Sequence, residues 1–214
     1  MFQIETRDNR CVITFDKPME TLCRSIFAMK ELSGLTVNSE YTVLSFFANC
    51  VEKLEQYINR HANQSTSFTY EDAINMTEQL CGQLFHLNRQ NKSLLWMDIE
   101  NIYIVDKYYF IYICDEHIME INDSGNMILT TPVDLSAHRF SSPELKLITT
   151  LPAEIRSEAS YYCLGAIVIY CLFPDINPQQ ITIDQLKPII DTKLYWFLLR
   201  SIESNPLRRR LLFV

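Results

Sequence analysis

Between Tyr161 and Phe173 the chain reads YYCLGAIVIYCLF, a run without a single charge in which every side chain except Gly165 is apolar, Tyr or Cys. A helix that is apolar all round must be surrounded by protein or by lipid. At about 1.5 Å per residue the run reaches roughly 20 Å, well short of the ~30 Å hydrocarbon layer of a bilayer. The length therefore predicts a central core helix over Ser157–Phe173 and no membrane span. Its β-branched residues also permit a buried strand, which the length disfavours.

A core helix needs a core to sit in, and 214 residues suffice for one large or two small domains. Apolar residues make up 48% and charged residues 21%, the balance of a globular chain. A net charge of −7 lacks the basic footprint of a nucleic-acid binder, and the basic run Arg208–Arg210 is too short to supply one. The seven cysteines are dispersed and odd in number, and they read as free thiols without metal-ligand spacing. Glu5, Arg7, Asp8 and Arg10 interrupt the N-terminus, so no signal peptide is expected. The expected setting is intracellular and reducing.

Residues 1–48 read as a small β-rich piece, with strands at Cys11–Phe15 and Tyr41–Phe47 and a short helix over Glu20–Lys30 ended by Ser33-Gly34. Val51, Leu54, Tyr57 and Ile58 share a helical face, and His61–Ser67 reads as a loop. Thr69 and Asp72 have the spacing of a capping box, opening a helix with Ala73, Met76, Leu80, Leu84 and Leu87 on one face. Two hairpins are expected next: Ile102–Val105 with Tyr108–Cys114, and His117–Ile121 with Asn126–Thr130. Thr131–Pro152 reads as irregular. After the central helix, Thr182 and Gln185 mark a short helix that Pro188 kinks or ends, and Leu194, Phe197, Leu198 and Ile202 mark a last one.

This order, with an all-apolar helix late in the chain, resembles the C-terminal lobe of a protein kinase from about Tyr41 onward. Leu94–Val105 (LLWMDIENIYIV) is similar to the catalytic-loop region, whose pattern is H-R-D-x-K-x-x-N. Asp115-Glu116-His117 stands where D-F-G would. Ser142-Pro143-Glu144 resembles A-P-E, Ser160–Gly165 resembles the D-x-W-S-L-G start of the central helix, and Asn205–Arg209 resembles the closing D-P-x-x-R. The resemblance implies an α+β chain: a mainly helical C-lobe-like domain over 49–214, and a reduced β-rich N-lobe remnant over 1–48.

It also implies that most of the phosphoryl-transfer machinery is gone. The phosphate loop needs several glycines, and Gly34 is the only one before Gly82. Lys30 has the look of the strand lysine, but too few residues follow before Tyr41 to hold its helical partner and the next strand, so it reads as a surface lysine. His-Arg-Asp has become Trp96-Met97-Asp98, with Glu100 and Tyr103 in place of the lysine and the metal-binding asparagine. Neither does that work, and moving Asn101 into the role requires a two-residue deletion. Asp98 and Asp115 remain as residual catalytic candidates, Asp98 more simply as a loop carboxylate accepting backbone N–H groups. Asp115, Glu116 and His117 offer metal-ligand chemistry but read as a solvated hairpin tip.

The anchors that hold a C-lobe together persist by the same resemblance. Glu144 and Arg209 are expected to form a half-buried ion pair. Ser160 replaces the aspartate that ties the central helix to the catalytic loop, weakening that tie. The leading reading is an inactive kinase-like domain that binds proteins through Ala137–Leu147 or through the aromatic trio Tyr195, Trp196 and Phe197, with no cofactor and no nucleic acid. The alternatives are a divergent kinase or nucleotide binder using ATP and magnesium, and an assembly subunit, for instance of a large DNA virus.

Overall fold

Two hydrophobic clusters share one three-stranded sheet, whose two faces join the N-terminal unit to the rest of the molecule. The computed structural model describes residues 2–29, 31–62, 68–135 and 138–211. Lys30, Ala137 and most of the expected loop His61–Ser67 lie outside the described residues. The chain is mixed α+β, with small antiparallel sheets.

The N-terminal sheet runs β1 (Phe2–Arg7), β2 (Arg10–Phe15), β4 (Val43–Phe47), β3 (Thr36–Val37) in spatial order, all antiparallel. Period-two alternation puts Cys11, Ile13, Phe15, Leu44 and Phe46 inside, where α1 (Glu20–Phe27) covers them with Leu22, Cys23 and Ile26. Strand β1 was not expected from the sequence. Its hairpin turns on Asp8-Asn9, both left-handed (φ 51° and 60°), the backbone of a tight two-residue turn. Helix α1 stops at Phe27, before the expected Lys30 limit. Gly34, at φ +65°, lies in the loop beyond, where a Cβ would stand 2.4 Å from the Phe47 ring.

Residues 49 and 50 join this unit to the remainder. The Asp106 carboxylate accepts from the backbone N–H groups of Asn49 (2.7 Å) and Cys50 (2.9 Å), pinning the linker to the tip of a hairpin. That hairpin is β7 (Ile102–Val105) with β8 (Tyr109–Tyr112), turning at Asp106-Lys107 as the sequence indicates. On its other edge β7 pairs with β5 (Val51–Lys53), so Val51 belongs to a strand and not to the helical face expected for it. One face of the sheet gives Ile102, Ile104, Phe110 and Tyr112 to the main core. The other gives Tyr103, Val105, Ile111 and Ile113 to the N-terminal cluster.

The main core is built by α2 (Leu54–Ala62), α3 (Tyr70–Arg89), α5 (Ala159–Leu172) and α6 (Lys193–Ser201). Helix α3 opens on the Thr69–Asp72 capping box and buries Ala73, Met76, Leu80, Leu84 and Leu87. It also covers the open edge of β8 with two glutamines one turn apart. Gln79 Oε1 accepts from Phe110 N–H (2.6 Å), and Gln83 Oε1 accepts from Tyr112 N–H (2.7 Å). Their amide groups donate back to the carbonyls of Tyr108 and Tyr112, both at 3.3 Å. Helix α5 is the expected central helix, with every residue from Tyr162 to Ile169 buried. Gly165 is where α6 crosses: a Cβ there would lie 2.1 Å from Ser201 Oγ and 2.9 Å from Ser201 Cβ.

Two expected features are corrected. The run His117–Ile121 does not pair with Asn126–Thr130. Strand β9 (Ile118–Glu120) pairs with β6 (Lys92–Leu94), and β10 (Asn126–Leu129) pairs with β11 (Ala153–Arg156). The turn at Asn122–Gly125 forms, but each strand leaves it for a distant partner. Thr131–Pro152 is not wholly irregular, because α4 (Pro143–Lys146) lies within it. Near the end, Gln185 accepts from Thr182 N–H (2.7 Å) and opens a 3-10 helix that stops at Ile189, just past Pro188. Among the described residues no helix is long and apolar enough to cross a membrane.

Candidate functional site

Three segments converge beneath the three-stranded sheet: Leu95–Asp98 leaving β6, Ile113–His117 between β8 and β9, and His138–Phe140. Three rings meet here: Trp96 has centroids 4.3 Å from His117 and 4.5 Å from His138, and the two imidazoles meet edge-on at 5.9 Å. Leu95 N–H donates to the His117 carbonyl at 2.8 Å, which locks the first two segments together. His117 is buried, contrary to the solvated tip expected for it, and its Nδ1 stands 3.1 Å from the Tyr112 hydroxyl. Burial pushes its pKa down to about 4 despite the Asp98 charge nearby, so the ring is neutral at ordinary pH. Trp96 Nε1 is buried with no hydrogen-bond partner among the described residues; the ring is there for stacking.

Both residual acids are engaged. The Asp98 carboxylate contacts His138 Nδ1 at 2.9 Å and does not cap the 3-10 turn that begins after it. Among the described residues the partner of its carboxylate is thus an imidazole. Asp115 pairs with Lys17 Nζ at 2.8 Å, across the gap between the N-terminal unit and the body. Beside that pair a pocket of about 190 Å³ is lined by Pro18, Thr21, Lys92 and Ile118, with Asp115 itself. Above the other side of the sheet the two units meet in apolar packing. The Phe2 ring sits 5.9 Å from both Phe15 and Tyr103, next to Val105, Ile111 and Ile113.

The structural anchors form a second centre at the N-terminal end of α5. Arg209 is wholly buried, and its guanidinium grips Glu144 with both arms, Nη1 to Oε1 at 2.5 Å and Nη2 to Oε2 at 2.8 Å. Its Nε donates to the Glu203 carbonyl (2.7 Å), Nη1 to the Glu158 carbonyl (3.3 Å), and the ring of Tyr162 lies 5.1 Å away. The pair is thus more buried than expected on the arginine side. Ser160, also fully buried, donates to the Ser157 carbonyl (3.0 Å) and lies 3.3 Å from Ser93 Oγ. A tie from α5 toward the loop exists, but it reaches β6 and not Asp98.

The aromatic trio separates. Phe197 is fully buried in the core. Tyr195 is half-buried, and Trp196 is 48% exposed with its ring set edge-on to Tyr195. Sequence reasoning missed three members of the site. Lys17 and His138 meet Asp115 and Asp98 only through the fold, and nothing local marks them. Cys114 stands three residues before His117, a proximity in sequence that was not singled out. No protein-family model matches the chain, and no curated protein matches it.

Proposed function

We propose that this chain is a catalytically inactive, protein-kinase-like domain that serves as a protein-binding scaffold. The observation that carries the inactive reading is the filling of the space between the two units. Phe2, Phe15 and Tyr103 pack together between the two units, and both surviving acids are already held by cationic or imidazole partners. Phosphoryl transfer depends on positioned phosphates and a metal-binding carboxylate, and the apolar packing and the engaged acids speak against both. The order of elements supports the kinase-like part. A sheet with one helix inserted before its last two strands leads through a pinned linker to two helices. The Asp98 loop then precedes a hairpin, the Asp115 turn follows it, and the central helix comes after Glu144.

The scaffold part is supported by the surface left open. Trp196, Ile190 and Leu207 expose large apolar side chains near the C-terminal end, and Leu147 does so beside α4. A second reading, nucleotide binding by a divergent site, is favoured by one feature, the Lys17 ammonium beside Asp115. Thermal denaturation with and without ATP and magnesium separates the two. The inactive reading expects an unchanged Tm, whereas native-state binding raises it, by about 2.7 kcal/mol of stability at a hundredfold excess over Kd. Such a rise would overturn the proposal.

A further inference from the structure

We propose that the turn between β8 and β9 is a zinc site, with Cys114 Sγ, Glu116 carboxylate and His117 Nδ1 as its three protein ligands. The inference is independent of the kinase-like reading. The three ligand atoms lie within 4.8 Å of one another. Tetrahedral zinc, with bonds of about 2.3 Å to sulfur and about 2.0 Å to nitrogen, sets those two atoms roughly 3.5 Å apart. Cys114 Sγ and His117 Nδ1 are already 4.0 Å apart, within about half an ångström of that separation.

The turn is organised to present these groups. Its backbone is fixed by Ile118 N–H donating to the Asp115 carbonyl (3.0 Å) and by Leu95 N–H donating to the His117 carbonyl (2.8 Å). The His117 ring is clamped against Trp96, and the Tyr112 hydroxyl that now approaches Nδ1 has Asn101 as another partner. Asp115 is drawn away by Lys17, which removes the remaining acid of the turn from the ligand set. Glu116 is the exposed member, and its carboxylate already lies within 4.8 Å of the other two ligand atoms. A thiolate, an imidazole and one carboxylate form a set that suits zinc in preference to magnesium or calcium, which take oxygen ligands. Binding displaces the Cys114 thiol proton to solvent, and thiolate plus carboxylate balance the charge of Zn²⁺. The fourth position is left to water.

The test uses the full chain, stripped with a chelator and titrated with Co²⁺ and then Zn²⁺. The expected result is one equivalent of Co²⁺ with a thiolate-to-cobalt charge-transfer band, displaced by Zn²⁺. Cys114→Ser abolishes the band, Glu116→Gln weakens binding at least about tenfold, the loss seen even for outer-shell partners, and Cys50→Ser leaves both unchanged. Glu116→Gln changes an exposed side chain and keeps the test valid if Cys114→Ser fails to fold. Absence of a thiolate band in the parent chain overturns the proposal. So does a band lost in Cys50→Ser and retained in Cys114→Ser.

Discussion

Removing the Arg209 side chain is the sharpest perturbation the fold offers. In Arg209→Ala the Glu144 carboxylate loses both arms of its partner, and the carbonyls of Glu203 and Glu158 lose a donor. Breaking a buried ion pair from one side costs about 3–5 kcal/mol. The Glu144 side chain keeps 21% of its surface accessible, so water can reach it and the lower end of that range applies. For a chain of this size about 3 kcal/mol lowers Tm by roughly 6–12 °C. Urea denaturation measures the loss directly, with the m-value as the check that the unfolded state is unchanged. Arg209→Lys keeps the charge but not the two-armed grip, and falls between parent and alanine. Replacing both partners, as Arg209→Met with Glu144→Leu, removes the stranded charge and should cost less than Arg209→Ala alone. If Arg209→Ala lies within about 1 kcal/mol of the parent, or the double variant costs the sum of the singles, the ion pair is not the clamp described above.

Other perturbations follow the same reasoning. Gly165→Ala forces a methyl group onto Ser201 and should destabilise by about 1–3 kcal/mol, with Ser201→Gly in the same chain recovering part of it; equal stability of the two chains would refute the close crossing. Gln83→Ala leaves the buried N–H of Tyr112 unpaired, a loss of about 1–3 kcal/mol that denaturant titration resolves. In the metal-free chain, His117 has a folded pKa of about 4 against an unfolded 6.5, so the unfolded state takes up the proton first. Stability is therefore full above pH ~6.5 and falls as the pH drops toward 4, by at most about 3 kcal/mol, and His117→Gln should flatten that slope.

What could be read from the sequence follows the range of the interactions involved. The central helix is marked by unbroken apolarity from Tyr161 to Phe173, and α3 by the three-residue reach of Thr69 to Asp72; both signals are complete within one element. Strand positions were legible too, because Ile118–Glu120 and Asn126–Leu129 carry local strand character. Their pairing was not, since proximity in sequence favours a hairpin while β6 and β11 supply the better-placed edges. Strand β1 escaped notice because it is mostly exposed, leaving only Phe2 and Ile4 partly buried to show a period. The Glu144–Arg209 pair was found only through motif resemblance; no spacing rule joins those positions. Lys17 and His138 had neither a local signal nor a motif behind them.

The two acids at the site are restrained in ways that contribute unequally. Lys17 is largely exposed, and solvent screens an exposed ion pair so that it adds little to stability. Its pairing with Asp115 thus does little for the fold and acts chiefly on the charge at the cleft. The packing of Phe2 against Phe15 and Tyr103 is the opposite case, adding apolar contact that joins the first strand to the β7–β8 sheet. On the inactive reading these two barriers are independent. Lys17→Ala should leave Tm nearly unchanged and still show no response to ATP and magnesium, because the apolar filling remains. Phe2→Ala should lower Tm and, by opening the cleft without restoring a phosphate loop, also gain no response. A nucleotide-dependent rise in Tm in the parent chain that Lys17→Ala abolishes would reverse the assignment, since it would make Lys17 a ligand for phosphate and not a plug for Asp115.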